Sequence, residues 1–450
     1  MTSARLAAVK VLTALERGRT TLAAELERAR PEIASSRDRS LFFEIVAGTV
    51  RWRAELDALL TARSRRPLAS LDPNVRAIVR LGAYQLRHLD RVPVHAVVHE
   101  AVELTRAVGH TRAAGFVNAV LRQLWRDRHS ISLPSRPESH GDRAAALAYL
   151  AVTLSHPRWL VERWLGRYSF ADVERWCQFN NTPPDVMIRA AGPLAQKDLR
   201  ADLEAAGVAF TPGLFVKRGI RLAPGALGRL PAHLRTSVVV QEEASQIVAD
   251  AVGAKPGERA LDVCAAPGGK TVLLAASMAG TGLLVAGDVR PARTRLLRAT
   301  LTRAGVAAPV IQHDATRALP FGAIFDRVFV DVPCSGLGTL RRDPDLKWSR
   351  RADELPLLAA TESVILANAA RVVRPGGTLV YATCSSEPEE NDDIVDRFGG
   401  EHAQFVPSPL TLGDDIEGAP QLIDARGRLR TLPFRDGLDA FFAAAFLRRE

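Results

Sequence analysis

The chain has 450 residues, which is enough for two or three domains with sizeable cores. Hydrophobic residues make up 47% of it and charged residues 24%, an ordinary balance that argues against a globally disordered chain. The formal net charge of +10 favours a polyanionic partner.

Four cysteines lie far apart with no C-x-x-C pair: Cys177, Cys264, Cys334 and Cys384. This spacing argues against a zinc site or a disulfide framework and is typical of reduced thiols in a cytosol. The first residues lead into an amphipathic helix and not into a signal peptide, and no apolar run is long enough to cross a membrane. We therefore expect a soluble, cytoplasmic protein.

The chain begins with a helical pattern that extends from Ala4 to about Arg126. Leu6, Val9 and Leu12 recur at three-residue steps, which is the spacing of one helix face. Asp72 followed by Pro73 predicts the start of another helix, with Asp72 as N-cap.

Two segments inside this helical region carry a family resemblance. Residues 94–104 (VHAVVHEAVEL) followed by residues 115–122 (GFVNAVLR) resemble the NusB family of all-helical RNA-binding domains. The polar faces of the helices carry many arginines, including Arg37, Arg39, Arg51, Arg53, Arg63, Arg65 and Arg66. Two interpretations stay open for these arginines: solvated faces of a bundle, or a shared patch that faces RNA.

Polar residues rich in proline and serine follow, from Asp127 to Asp142, and include Ser139-His140-Gly141. Such composition predicts a linker. Beyond it, a strand at 186–189, a helix at 196–206 and a strand at 208–210 predict a small α+β module.

The segment from Leu261 to Thr271 (LDVCAAPGGKT) predicts a strand, a tight loop and a helix N-terminus. Unpaired backbone N–H groups at such a turn favour an anionic ligand, and glycine lets the ligand approach the backbone. The pattern is neither the dinucleotide fingerprint nor a P-loop. A purely structural turn is the alternative.

After this loop, strands and helices alternate as a doubly wound sheet requires, with strands at 283–289, 310–314, 327–332, 378–383 and 441–446. Asp288, Asp314, Asp331 and the two cysteines that follow, Cys334 and Cys384, fall at carboxyl ends of these strands, where ligands bind. Asp288 is placed to accept hydrogen bonds from ribose hydroxyls. Asp314 is placed to accept one from an adenine amino group. The alternative for each acid is a helix N-cap.

Cys334 and Cys384 each end a strand at the same predicted edge. Nearby helix N-termini and basic groups would lower the pKa of such a thiol and make it a thiolate nucleophile. Methylation of carbon 5 of cytosine requires a thiolate, because carbon 5 becomes nucleophilic only after addition at carbon 6. One thiol would attack and the other would assist release, and the residue pattern alone does not say which.

Residues 261–271, 331–338 (DVPCSGLG) and 383–385 (TCS) resemble the RNA 5-methylcytosine methyltransferases of the NOL1/NOP2/Sun family. The resemblance implies that Cys384 is the nucleophile, that Cys334 acts in product release and that Asp331 also holds the base. It implies S-adenosylmethionine as cofactor, no metal, and these contacts: Cys264, Ala265, Ala266, Pro267, Gly268, Gly269, Lys270, Asp288, Asp314 and Asp331. Lys270 either points into the cleft or lies on the surface.

Together with the NusB-like part, the resemblance narrows to the bacterial RsmB (Sun/Fmu) type. This implies methylation of one cytosine of 16S ribosomal RNA, with the small-subunit RNA as partner, a monomer and no membrane contact. The expected fold is multidomain: a NusB-like all-α bundle (1–128), a linker (129–145), an α+β connector (146–235) and a Rossmann-like α/β methyltransferase domain (236–450). One departure is Ala440, where the family usually has glycine, and we expect it to be conservative.

Three alternatives stay open. The same chemistry could act on a transfer RNA or on another ribosomal site. The chain could be an RNA-binding or assembly factor with an inactive methyltransferase fold, although the glycine loop and both cysteines are present. A DNA cytosine methyltransferase would use the thiol of Cys334 as nucleophile and would leave Cys384 unexplained.

Overall fold

The computed structural model describes residues 3–18, 20–64, 66–130, 132–138, 142–191 and 196–450. The chain forms two compact units: Met1–Pro183 with Leu340–Ala352, and Pro184–Thr339 with Asp353–Glu450. Arg65 and residues 139–141 of the predicted linker lie outside the described residues. None of the helices in the described ranges has both the length and the apolar character needed to cross a membrane.

The elements follow in chain order. The helices are α1 (Ser3–Glu16), α2 (Leu22–Ala29), α3 (Ser36–Arg51), α4 (Arg53–Thr61), α5 (Pro73–His88), α6 (Val94–Ala107), α7 (Ala114–Arg126), α8 (Arg143–Ala148), α9 (Arg158–Leu165), α10 (Phe170–Asn181), α11 (Gln196–Ala205), α12 (Ala232–Ser237), α13 (Glu243–Ala251), α14 (Gly269–Ser277), α15 (Pro291–Arg303), α16 (Leu346–Ser349), α17 (Leu355–Ala370), α18 (Asp392–Glu401), α19 (Ala419–Leu422) and α20 (Pro433–Asp436). The strands are β1 (Val186–Ala190), β2 (Phe210–Pro212), β3 (Ile220–Leu222), β4 (Val238–Val240), β5 (Arg259–Asp262), β6 (Leu283–Asp288), β7 (Val310–Gln312), β8 (Phe325–Asp331), β9 (Val373–Thr383), β10 (Phe405–Ser408), β11 (Leu429–Thr431) and β12 (Phe441–Arg448).

The first unit is helical, as its sequence pattern predicts. Asp72 caps α5 by accepting a hydrogen bond from the Asn74 N–H at 2.8 Å, and Pro73 occupies the first turn. The core is built from the apolar faces of α1 to α7, and Phe42, Ile45 and Leu121 are fully buried in it. The all-α prediction for this region is therefore confirmed.

The first unit extends further than the predicted bundle, because α8 to α10 belong to it. The Trp164 and Trp176 rings stack at 4.3 Å between α9 and α10. The Ala54 N–H at the start of α4 donates to Ser155 Oγ at 2.9 Å. The boundary predicted at residue 146 therefore differs from the compact unit, which ends at Pro183.

The segment Leu340–Ala352, directly after the loop that carries Cys334, also belongs to the first unit. Lys347 is buried there, and its Nζ donates to Asn181 Oδ1 at 2.8 Å and to the Ser155 carbonyl at 3.2 Å. Burial lowers the pKa of this lysine well below its usual value. The sequence pattern placed this segment in the methyltransferase region, and only the structure reveals its packing.

The second unit contains two sheets. The smaller one is antiparallel, with the order β2-β3-β1-β4, and α11 packs on it through Leu199 and Leu203. The larger one has the order β10-β12-β9-β8-β5-β6-β7, with β11 beside β12. Strands β5 to β9 are parallel in it and β12 is antiparallel to β9. This is the predicted α+β module followed by the predicted α/β sheet.

Register places the carboxyl ends of the parallel strands at one edge. Asp262 at the end of β5 pairs with Ala286 of β6, and Asp331 at the end of β8 pairs with Ala382 of β9. Strand β9 begins at Val373 and not at the predicted Thr378, because Val373 pairs with Phe325 of β8 ahead of an irregularity in the register. The sequence pattern does not predict the short strands β3, β4, β10 and β11, each of which has at most four residues.

Candidate active site

The glycine loop joins β5 to α14 as predicted. Gly268 has a φ of +107°, and a Cβ there would lie 2.9 Å from Leu297 Cδ1, so the position requires glycine. No side chain caps α14 at Gly268, which leaves the first backbone N–H groups of this helix for a ligand. Thr271 Oγ donates to Asp262 Oδ2 at 2.7 Å and fixes the helix to the end of β5.

Around the loop, Ala265, Ala266 and Gly268 are buried, Cys264 and Gly269 are half-buried and Pro267 is exposed. Burial raises the pKa of the Cys264 thiol, which suits a packed thiol and not a nucleophile. Burial likewise raises the pKa of Asp262 to about 7, and Asp262 Oδ1 is buried without a hydrogen-bond partner.

Asp288 ends β6 and is buried against the loop. Its Oδ2 accepts hydrogen bonds from the Ala266 N–H at 3.2 Å and from Arg293 Nε at 3.1 Å. Arg293 also donates to the Ala266 carbonyl at 2.8 Å, so the loop and the acid hold each other in place. The carboxylate thus lies beside the glycine loop, where the sequence predicts a ribose contact.

Asp314 lies two residues beyond β7 and its side chain is 41% exposed. Its Oδ1 accepts from the Thr316 N–H at 3.0 Å and from Thr316 Oγ at 2.7 Å, and these bonds lower the pKa of Asp314. The acid therefore stabilises its own turn, but it is not a helix N-cap, because the described residues between β7 and β8 contain no helix. A contact with adenine stays a prediction.

Lys270 points toward the strand ends and forms an ion pair. Its Nζ lies 2.7 Å from Asp331 Oδ2, at the end of β8, and 5.3 Å from the centre of the Phe441 ring. Burial alone would lower the pKa of Lys270, but the negative charge and hydrogen bond of Asp331 outweigh it and the pKa is raised. The structure therefore supports the interpretation in which Lys270 points into the cleft, and not the one in which it lies on the surface.

The two cysteines meet at the same edge. Cys334 Sγ and Cys384 Sγ are 3.3 Å apart. The Gly338 N–H donates to the Cys384 carbonyl at 2.9 Å, and the Ala440 N–H donates to the Gly338 carbonyl at 2.9 Å. An alanine at position 440 is compatible with this contact, because only the backbone N–H of Ala440 takes part in it.

One expectation about the thiols is wrong for Cys334. The hydrogen bond with Cys384, followed by burial, raises the pKa of Cys334 well above its usual value, whereas the sequence predicted lowered thiol pKa values at this edge. The basic group that is present, Lys270, is neutralised by Asp331. Cys334 therefore keeps its proton near neutral pH.

Sequence reasoning missed the buried polar residues beneath the thiols. Ser335 and Ser385, each next to a cysteine, bind the carboxylate of Glu390. Glu362 lies beside Glu390, and burial together with the charge of Glu390 raises the pKa of Glu362 to about 10. The local signals for this cluster were a carboxylate six residues beyond Cys384 and the agreement of residues 387–391 with the resembled family.

The residues at the carboxyl ends of the parallel strands suit a positively charged cofactor that carries an amino-acid group and a ribose. Carboxylates at Asp288 and Asp331 suit hydroxyl groups and positive charge, and the uncapped start of α14 suits a carboxylate. The open, mostly parallel sheet, its glycine turn and these acids define an S-adenosylmethionine-dependent methyltransferase.

Comparison with known proteins identifies the family. Residues 2–126 match the NusB family, residues 156–226 match the ferredoxin-like domain of RsmF/B-like methyltransferases, and residues 249–447 match 16S rRNA methyltransferase RsmB/F. The chain is 32% identical to the probable ribosomal RNA small subunit methyltransferase B of Bacillus subtilis, covering 92% of each chain. It is 34% identical to the ribosomal RNA small subunit methyltransferase B of Pseudomonas putida, covering 99% of this chain and 98% of the relative.

The crystal structure of PH0851 has the same fold, with a TM-score of 0.80 at 23% identity over 99% of each chain. The chain belongs to the RsmB/F family of 16S rRNA methyltransferases. The predicted family and the predicted fold class, including the NusB-like bundle and the α/β methyltransferase fold, are confirmed.

Proposed function

We propose that this protein transfers the methyl group of S-adenosylmethionine to carbon 5 of one cytosine in 16S ribosomal RNA, through a covalent bond between Cys384 and the base. One observation carries the proposal: Cys334 Sγ and Cys384 Sγ lie 3.3 Å apart at the sheet edge that also holds the Lys270–Asp331 ion pair. Two free thiols in contact at a ligand-binding edge suit a reaction that forms and then breaks a sulfur–carbon bond.

We assign the first step to Cys384, which the family resemblance implies as the nucleophile. Its sulfur bonds to carbon 6, and the electron pair of the carbon 5–carbon 6 double bond moves to carbon 5, which takes up the methyl group. When bound, S-adenosylmethionine would supply that methyl group in electrophilic form, with the sulfur–methyl bond breaking and its electron pair going to the cofactor sulfur. A base then removes the carbon-5 proton, the double bond re-forms, and the Cys384–carbon 6 bond breaks with its electrons returning to sulfur.

Cys334 is assigned to product release. Its raised pKa keeps the S–H intact near neutral pH, and its sulfur lies within hydrogen-bond distance of Cys384 Sγ. A hydrogen bond from Cys334 to the departing thiolate would stabilise that leaving group. Removal of Cys334 should therefore leave the adduct bound.

Asp331 is assigned to base positioning. Lys270 holds Asp331 Oδ2, which leaves Oδ1 to accept a hydrogen bond from the exocyclic amino group of cytosine. The cofactor would lie on the loop from Cys264 to Lys270, with Asp288 on the ribose and Asp314 near the adenine. Each role is part of this proposal.

The same proposal assigns a role to each part of the chain. We assign RNA binding to the NusB-like part (1–128) and methyl transfer to 236–450, with 129–145 and 146–235 as linker and connector. We also expect a cytoplasmic monomer. Because carbon 6 is reached only in an unstacked base, the substrate should be naked or partly assembled RNA. Equal methylation of mature small subunits and free RNA would contradict this expectation.

The test is methyl transfer from labelled S-adenosylmethionine to protein-free 16S RNA by the unmodified protein, Cys384→Ala and Cys334→Ala. We expect no transfer by Cys384→Ala and a trapped RNA–protein adduct in Cys334→Ala. An adduct that requires Cys334 would instead indicate the mechanism of DNA-type enzymes. Transfer only to transfer RNA would change the substrate, and no transfer to any RNA would favour an assembly factor.

A further inference from the structure

A buried carboxylate lies beneath the two thiols. Glu390 is fully buried, and its Oε1 accepts a hydrogen bond from the Ser335 N–H at 2.6 Å. Its Oε2 accepts from Ser335 Oγ at 2.6 Å and from Ser385 Oγ. Ser335 directly follows Cys334 and Ser385 directly follows Cys384. One carboxylate therefore joins the two loops that carry the thiols.

Other contacts hold the Glu390 region against the same loops. Asn391 Nδ2 donates to the Ser385 carbonyl at 3.0 Å, and Asn391 Oδ1 accepts from Thr383 Oγ at 2.5 Å. The hydroxyl oxygens of Ser335 and Ser385 are 3.2 Å apart. The Tyr381 hydroxyl donates to the Glu390 carbonyl at 2.7 Å. The carboxylate is thus fixed from both sides and cannot shift without moving the loops.

The charge of the cluster also favours this arrangement. Glu362 has a pKa of about 10 because of its burial and of the nearby Glu390, so Glu362 is neutral at physiological pH. The carboxyl group of Glu390 offers its two acceptor oxygens to three donors on the two loops. A glutamine in its place would offer one acceptor oxygen and would turn two N–H donors toward the serines.

We propose that Glu390 is a positioning residue that holds Cys334 and Cys384 in contact through Ser335 and Ser385. Glu390 contacts neither sulfur through a hydrogen bond and acts only by fixing the loops. The consequence for methyl transfer rests on the proposed function, whereas the effect on the spacing of the sulfurs does not.

The spacing is measured without RNA or cofactor. Diamide oxidises the full-length protein, taking one hydrogen from each thiol to become a hydrazine while the sulfurs form a disulfide. The rate of the Cys334–Cys384 cross-link is followed by mass spectrometry of peptides after alkylation. We expect Glu390→Gln to slow this rate roughly tenfold or more, because positioning errors near 1 Å strongly reduce reactions between fixed groups. Glu390→Asp should restore part of the rate, and Glu401→Gln, at an exposed acid of the same unit, should leave it unchanged.

The second measurement is steady-state methyl transfer. Glu390→Gln should lower kcat by roughly 10- to 100-fold while KM for S-adenosylmethionine stays within about twofold, since the cofactor loop is elsewhere on the edge. Circular dichroism and the melting temperature establish that the variant is folded. If Glu390→Gln is not folded, Ser335→Ala and Ser385→Ala are used in its place. Each serine variant removes one hydroxyl hydrogen bond to Glu390 and should slow the formation of the cross-link several-fold.

The outcomes separate the two proposals. A folded Glu390→Gln that cross-links and turns over at the unmodified rates overturns the positioning role, as does a loss confined to KM for the cofactor. Unchanged cross-linking in both serine variants also overturns it. Slower cross-linking in Glu390→Gln, with no methyl transfer by the unmodified protein, supports the positioning role and rejects the proposed function.

Discussion

The active-site edge has two halves that are built differently. The cofactor half comprises the carboxyl ends of β5, β6 and β7, and the thiol half comprises those of β8 and β9. In the cofactor half, two of the acids bind backbone groups of turns: Asp288 binds the Ala266 N–H and Asp314 binds the Thr316 N–H. In the thiol half, buried side chains bind one another across about 50 residues of chain, as Glu390 and Ser335 do.

This difference sets how each half should respond to substitution. In the cofactor half, water can replace the lost partner of a partly exposed acid such as Asp314, but not that of the buried Asp288. A buried network has no water to replace a missing charge, so each loss leaves unsatisfied groups. We therefore expect a larger loss of activity from substitution in the thiol half than in the cofactor half, and a smaller, separate effect on stability at Glu362.

The largest effect is expected for Asp331→Asn in the thiol half. The change removes the negative charge that Lys270 faces at 2.7 Å and disturbs the group assigned to hold the base. The rate of methyl transfer in a single turnover should fall by roughly 100- to 1000-fold, as when a charged group at a reacting centre is removed. Asp326→Asn, at the opposite end of the same strand, is the matched control and should keep near-normal turnover. A loss of less than about threefold would contradict the role of Asp331.

An intermediate effect is expected for Asp288→Asn in the cofactor half. Asp288 is buried and its carboxylate holds the loop, so the dissociation constant of S-adenosylmethionine should rise roughly 10- to 100-fold. Asp314→Asn should raise it only about two- to fivefold, because Asp314 is exposed and its Oδ1 already serves Thr316. Equilibrium binding measures both, and a larger effect at Asp314 would reverse the ranking.

The smallest effect concerns stability and pH at Glu362, beneath the thiols. The pKa of Glu362 is about 10 in the folded protein against 4.5 as its ordinary value. Between these values the unfolded chain releases a proton that the folded chain keeps, so the free energy of unfolding falls as pH rises. The stabilising contribution is complete below about pH 4.5 and is lost progressively up to about pH 10.

Glu362→Gln should flatten this dependence. Between pH 6 and pH 9 the melting temperature of the unmodified protein should fall by about a few degrees more than that of the variant. Glu401→Gln, an exposed acid in the same unit, serves as the control and should follow the unmodified protein. Parallel curves for all three proteins would show that Glu362 is not held neutral.

The amino-acid sequence by itself determined the helical first region, the α/β alternation, the glycine turn and the acids at the strand ends. These features depend on neighbours in the chain: the three- or four-residue spacing of apolar positions, the caps such as Asp72, and the turn chemistry around Gly268. The motifs around Cys334 and Cys384 also sufficed to indicate the family.

Only the tertiary structure decided how the distant parts act together. Cys334 and Cys384 are 50 residues apart in sequence and meet because β8 and β9 pair in register. The same pairing buries Glu362 and Glu390 and raises the pKa of Cys334, which local sequence predicted in the opposite direction. Lys347 likewise packs in the helical unit, although the chain on both sides of the segment Leu340–Ala352 belongs to the second unit. Such effects depend on burial and on contacts between remote residues, and local patterns do not encode them.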